Sequence, residues 1–579
     1  MKKSKRRKPA EAAGKAAVPI QPAWRPGPGQ ALAGIALAAV AAFLAYQPAL
    51  NGPFLFDDRY LPFANPAFQD QPLTGWLAGV RPVLMFSFWL NYRLFGLEPL
   101  SYHLFNLLFH FGAALMVFLI VRKLLEWAGT EPWPREPLAA FAAGLFLLHP
   151  LQTEAVSYVA SRSENLSVFL VYAALAVFLY RRGEAVSWRE AALVLVLFSG
   201  AVTTKEHTAV FPAVLLLTDY YWSPGFSLQG VKRNWRLYAP MAIAAAAGGG
   251  FVMRVLSQAD TAGFAVEGLP WHKYFLTQCQ AIWIYARMFL LPYGQNVDHD
   301  YPAVASPLDP FSLAGLLALA VAAGTSWGWG RRHRLASYGV FVFLLLIAPT
   351  SSFVPIRDLL VERRLYLPSL GLLLIAVAML SQWKTTRATL AGVLAGILLV
   401  SAVLTHQRNL VWAGSTALWE DAVAKAPRNW RAHFQLGYAY YESQRCSDAV
   451  QQYAKAAELS PPDVRLLVNW ALAYDCAGRP AEALAKLEQA VSVEPSAHVF
   501  SLIGMVRGKQ GEREQALEAL AEAARLDPNF AMLYVYRGHV FSAAGDTVSA
   551  AAQYRRALEI DPSLGIARES LLRLQQQPR

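Results

Sequence analysis

Eleven apolar runs, near residues 30–50, 101–121, 138–150, 164–180, 188–204, 206–221, 237–256, 310–328, 335–353, 366–382 and 388–405, leave this chain few ways to fold. Runs of roughly 16–20 apolar residues suit helices that cross a bilayer. Together they predict a polytopic, all-α membrane bundle. Composition agrees, since only 16% of residues are charged and the mean hydropathy is +0.28, outside the range of a soluble domain. Two further segments, 82–95 and 273–291, are apolar but interrupted, the first by Asn91 and Arg93, the second by Gln278, Gln280 and Arg287. They read as interfacial or re-entrant helices packed on the bundle.

The formal charge of +12 is distributed along the chain in a way that argues against nucleic-acid binding. Lys2, Lys3, Lys5, Arg6, Arg7 and Lys8 precede the first run, which reads as an uncleaved anchor. With that tail in the cytoplasm, eleven spans place loops 122–136, 181–189, 222–236, 331–334 and 383–387 inside, and every one is basic. This is the positive-inside bias. The C-terminus then lies outside, as do Asp57-Asp58, His149 to Glu154, Lys205-Glu206-His207, 257–310 and Glu362-Arg363-Arg364. The uncommon polar clusters therefore converge on one membrane face. Lys205 joins two runs that each cover only about 24 Å, less than the hydrocarbon core, so the hairpin tip is expected to be recessed.

After about residue 429 a period appears. Pro461, Pro495, Pro528 and Pro562 are spaced by 34, 33 and 34, and Ala449, Ala483, Ala516 and Ala550 keep the register. This is the tetratricopeptide pattern of two antiparallel helices per unit. The expected division is a basic cytoplasmic tail (1–29), a membrane domain (30–406) and a repeat domain (407–579). The last comprises a half repeat at 418–428, four repeats over 429–562 and a cap at 563–579. Such repeats bind protein or peptide partners, or serve as a packing platform. Cys446 and Cys476 fall on one edge of the expected solenoid, either as a disulfide in an oxidising compartment or as small packing residues. No Cys/His cluster suggests a structural zinc.

Two adjacent carboxylates, Asp57 and Asp58, open a polar loop at the end of the first span. Ionisable groups at such places tend to line a site. Glu154 and Arg162 lie on one outer loop. His103, Asn106 and His110 form one stripe on a helix. Arg363 and Arg364 lie outside, against the charge bias, and so call for an anionic partner such as a lipid phosphate. Lys205 is a second phosphate candidate. Carboxylates facing a phosphate-binding cavity suit sugar transfer from a polyprenyl phosphate to a hydroxyl, with one carboxylate as base and fixed cations on the leaving phosphate.

At these residues the chain resembles the transmembrane and tetratricopeptide-repeat O-mannosyltransferases of the GT-C superfamily. The resemblance rests on Phe56-Asp57-Asp58-Arg59, Arg81-Pro82, Asn91-Tyr92, Tyr102-His103 with Asn106 and His110, and His149 to Val156. It continues through Ser161-Arg162, Lys205-Glu206, Asn296-Val297-Asp298 and Glu362 to Ser369. Gln152 and Ser161 depart from the His and Gly expected there. The resemblance implies a GT-C fold, a polyprenyl-phosphate-linked sugar (mannose or another hexose) as donor, and a Ser or Thr acceptor on a secreted or periplasmic protein. It implies catalytic roles for Asp57, Asp58 and Glu154, without deciding which aspartate is the base. Arg59, Arg81, His103, His149, Arg162, Lys205, Glu206, Asp298, Arg363, Arg364 and Tyr366 would line the substrate site. No cofactor is certain; a divalent metal, if used, would sit on Asp57, Asp58 or Glu154. Membrane lipids are further partners, and the expected location is a bacterial inner membrane with site and repeats in the periplasm. The alternatives are an O-antigen-ligase-like oligosaccharyltransferase and a non-catalytic scaffold that recruits partners through its repeats.

Overall fold

A computed structural model describes residues 27–258 and 262–576. The basic residues before the first run lie outside the described residues. Each of the eleven apolar runs is helical over most of its length, and no β-strand occurs among the described residues. Five helices are long and apolar enough to cross a membrane: Pro28–Leu50, Pro99–Trp127, Val159–Leu179, Pro310–Trp329 and Arg387–Val411. Arg334–Ile347 and Ser369–Ser381 are apolar but shorter. The two interrupted segments are also helical, Pro82–Phe95 and Trp271–Leu290.

The first and last of the five long helices pack side by side. Asn409 donates to the Ala45 carbonyl at 3.0 Å, and Thr405 to that of Leu148 at 2.7 Å, so Arg387–Val411 is pinned to two neighbours by polar bonds. Trp188–Val202 and Phe211–Trp222 have 15 and 12 residues. Their turn carries Lys205, which is drawn inward to the Glu164 carboxylate.

Helix Ser415–Lys425 follows the last long helix after three residues, so the repeats begin without a swinging linker. Four antiparallel pairs follow: Trp430–Glu442 with Cys446–Leu459, Val464–Cys476 with Pro480–Val493, Ala497–Lys509 with Arg513–Leu526, and Ala531–Ala543 with Thr547–Ile560. Each second helix ends two residues before one of the periodic prolines, where a ring without an N–H cannot extend it. The periodic alanines are fully buried. At Gly437 an added Cβ would meet the Tyr453 ring at 2.8 Å, which is why this close approach needs glycine. Gly565–Gln576 caps the far end.

Cys446 and Cys476 are joined as a disulfide with Cα atoms 5.7 Å apart, within the range a bond requires. It links the second helix of repeat one to the first helix of repeat two.

Candidate functional site

The loop that follows Pro28–Leu50 turns sharply. Its 3-10 turn, Phe56–Tyr60, is closed by Asp58, whose carboxylate accepts from Leu55 N at 2.9 Å and Ala160 N at 2.6 Å. Asp58 is 1% exposed. Burial pushes its carboxyl up to about 7, against backbone N–H groups that pull it down. It therefore stitches this loop to the start of helix Arg162–Leu179.

Asp57 faces the other way. It is exposed and lines a cavity of about 720 Å³, a size that accommodates a small ligand. Its backbone is tightly held. Phe56 before it has φ +45°, a conformation unfavourable for a bulky residue, and its ring packs on Trp419 (4.8 Å) and Tyr158 (5.5 Å). Asp57 N donates to the Tyr158 hydroxyl at 3.1 Å. Strain of this kind concentrates where a side chain must be aimed. The Asp57 carboxylate accepts no hydrogen bond among the described residues.

Glu154, on the short helix Thr153–Ser157, forms the inner wall. It is 2% exposed and takes both the Arg363 guanidinium and Arg363 N (3.0 Å). Burial pushes the Glu154 carboxyl up and the Arg363 charge beside it pulls down. Below them Glu362 accepts from Gln295 (2.9 Å) and Asn296 N (2.6 Å) and pairs with His299 at 2.9 Å. That network holds segment 296–301 and its cavity residues Asp298, Asp300 and Tyr301. Arg357 and Asp358 also line the cavity. Arg357 is exposed to the cavity and has no hydrogen-bond or ion-pair partner among the described residues. The repeats close the remainder with Trp419, Trp430, Arg431, Gln435 and Arg465.

Of the residues singled out in sequence, the cavity gathers Asp57, Glu154, Asp298 and Arg363. The others stand apart from it. Arg59 pairs with Glu442 of the repeats at 2.6 Å, and Arg81 with Glu206 at 2.9 Å. His103 is bonded to the Gly52 carbonyl at 3.2 Å, and His149 to that of Phe289 at 2.9 Å. Arg162, expected to hold an anion, is wholly buried. It bonds Asn106 (2.9 Å), Asn91 (2.7 Å) and the Ser87 and Tyr102 carbonyls, because desolvating a guanidinium requires that its N–H groups be satisfied. Arg364 is spent on the Asp358, Leu359 and Tyr274 oxygens, and Tyr366 on His110 at 2.8 Å. The phosphate candidates Lys205, Arg363 and Arg364 are thus all already engaged, whereas Arg357, overlooked in sequence, lines the cavity without a hydrogen-bond or ion-pair partner among the described residues. Its signal was available, since Arg357-Asp358 lies only three residues before Glu362-Arg363-Arg364 on the same loop. Among the described residues no three His, Cys, Asp or Glu side chains come together as a metal-holding group.

A tetratricopeptide-repeat family profile matches residues 408–464 and 502–564. The mouse protein O-mannosyl-transferase TMTC3 is 23% identical over 539 residues, 83% of this chain and 57% of that protein. The Caenorhabditis elegans protein O-mannosyl-transferase F38B6.6 is 24% identical over 443 residues, 72% of this chain and 61% of that one. The chain is a relative of the protein O-mannosyl-transferases. A shorter stretch is closer still to Tmtc1 of Drosophila melanogaster, 34% identical over 202 residues, 32% of this chain and 22% of that transferase. The chain spans somewhat over half the length of the curated transferases TMTC3 and F38B6.6.

Proposed function

We propose that the chain is a membrane glycosyltransferase that moves a hexose from a polyprenyl-phosphate donor to Ser or Thr hydroxyls of proteins outside the cytoplasm. One observation carries this reading. A carboxylate, Asp57, and a guanidinium, Arg357, neither paired among the described residues, line one cavity between loops of the membrane domain and the first repeats. The names of its relatives supply mannose as the first sugar to try.

Asp57 takes the proton of the acceptor hydroxyl as its oxygen bonds to C1 of the sugar. The bond between C1 and the phosphate oxygen breaks, and the electron pair leaves with the polyprenyl phosphate. Arg357 receives the charge that grows there, with Arg363 behind it. Glu154 keeps Arg363 aimed and partly neutralised. Asp58 keeps Asp57 in place. Trp419, Trp430 and Phe56 offer flat apolar surface against which a sugar or a peptide packs. The disulfide in the repeats supports an oxidising, extracytoplasmic location for them.

The test is incubation of the purified chain in lipid with labelled polyprenyl-phosphate mannose and an extract of secreted proteins. Label on Ser or Thr, abolished by Asp57→Asn, is the expected result. No label from mannose or any other polyprenyl-phosphate hexose overturns the reading.

A further inference from the structure

The ties between repeat one and the membrane domain reach both loops that carry Asp57 and Arg357, and a third loop at 295–301. Near the start of helix Trp430–Glu442, Arg431 bonds Asp298 at 2.7 Å and Asp358 at 3.1 Å. These aspartates belong to different loops, and Asp358 adjoins Arg357. At the end of the same helix, Glu442 takes Arg59 in two parallel bonds of 2.6 and 2.8 Å. Tyr438 adds its hydroxyl at 3.3 Å and its ring face at 5.6 Å from the guanidinium. Arg59 lies two residues after Asp57, in the same 3-10 turn. Eleven helical steps separate Arg431 from Glu442, about 16 Å of rigid rod. Lys425, just before the helix, adds a bond to the Gln295 carbonyl at 2.7 Å, and Asn429 one to that of Asp298 at 3.3 Å.

We propose that helix Trp430–Glu442 is a brace that sets the separation of Asp57 from Arg357, and that Arg431, Glu442 and Arg59 are positioning residues for the transfer step. The repeats then do more than recruit an acceptor, because their first helix builds the geometry in which any acceptor reacts. This rests on the roles given above to Asp57 and Arg357. Among the described residues, nothing from Ala497 onward lines the cavity, so the later repeats are left to hold the acceptor chain. Bidentate guanidinium–carboxylate pairs suit such a role, because they fix direction as well as distance.

Charge exchange tests the brace. Arg59→Glu and Glu442→Arg are made singly and together in the full chain, beside Arg431→Gln. Turnover is read at saturating donor with a short Ser-containing peptide too small to reach the later repeats. Each single change is expected to lower turnover roughly tenfold to a hundredfold, the scale of a misplacement near 1 Å, with KM for the peptide unchanged. The double exchange is expected to recover most of the loss. Singles that keep full turnover and weaken only the binding of intact protein acceptors overturn the proposal, as does a double exchange no better than the singles. Amide hydrogen exchange over 54–61 and 296–301 provides a readout independent of the reaction. It should quicken in the singles and return in the double exchange. If the unaltered chain transfers no sugar, the functional reading fails, and the exchange data still decide the brace: unchanged rates in the singles refute it.

Discussion

Replacing Asp57 and Asp58 by Asn, one at a time, separates two adjacent carboxylates that the fold treats oppositely. Asp57 is exposed in the cavity and bonded to nothing through its carboxylate among the described residues. Asn there leaves packing intact, so stability should move by no more than about 0.5 kcal/mol. Turnover should fall by roughly 10²–10⁴ on loss of a general base, equivalent to about 3–5 kcal/mol of barrier. Asp58 is 1% exposed, and each of its oxygens accepts one backbone N–H, from Leu55 and Ala160. An Asn amide offers one oxygen and one NH₂, so one of those N–H groups loses its acceptor. An orphaned buried donor costs about 1–3 kcal/mol. Asp58→Asn should therefore lower the thermal midpoint in detergent, while activity falls mainly through misplacement of Asp57. The assays are transfer of labelled sugar and heat-induced loss of the monodisperse peak in size exclusion. An Asp57→Asn variant within threefold of full turnover, beside an inactive Asp58→Asn variant of unchanged midpoint, would refute the assignment.

Four further outcomes are expected. Burial holds the Asp58 carboxyl at about 7, above its ordinary 3.8; the folded chain then keeps a proton that the unfolded chain releases, so this contribution to stability is complete below about pH 4 and is lost as pH rises to 7. Comparing midpoints of the unaltered chain and Asp58→Asn between pH 4.5 and 7.5 should show that slope only in the former. Glu154→Gln strands the Arg363 charge in a buried pair, where the partners' side chains are 3% and 30% exposed; a loss near 3 kcal/mol, the low end for a broken buried pair, is expected in denaturation, and a midpoint equal to that of the unaltered chain contradicts it. Arg357→Gln should weaken binding of the phosphate-bearing donor about tenfold or more without altering acceptor affinity, in line with the worth of a charge-assisted bond; equal donor affinity in a titration removes Arg357 from the phosphate site. Cys446→Ser should cost roughly 3–4 kcal/mol through the 30-residue separation of the bonded pair, and free thiols at both positions in non-reducing mass spectrometry would rule the bond out.

Periodicity alone carried much of the architecture. The apolar runs could only become helices, because their length and composition suit a bilayer and little else. The 33- to 34-residue spacing of Pro461, Pro495, Pro528 and Pro562 located every second repeat helix to within a few residues, since a proline just past a helix end supplies no N–H with which to extend it. Part of the cavity's charged lining was legible too. Asp57, Glu154, Asp298 and Arg363 are polar groups at the ends of apolar runs on one face, where charge is too costly to be incidental.

What the sequence could not decide was direction and partner. Asp57 and Asp58 are chemically identical neighbours, and only the turn at Phe56–Tyr60 sends one into the cavity and the other against Ala160 N. Lys205, Arg363 and Arg364 looked available in sequence and Arg357 drew no notice, but a cation's availability depends on which carboxylate or carbonyl the fold brings within about 3 Å of it. That distance is set between segments far apart in the chain, such as Glu164 with Lys205. The contribution of Trp430, Arg431 and Arg465 was hidden for the same reason. The repeat pattern determines how each helix pair packs on the next, but the face that meets the membrane domain is settled by tertiary contacts such as Arg59 with Glu442 and Arg431 with Asp298 and Asp358. Local pattern determines secondary structure, whereas the pairing of charges is decided by long-range packing.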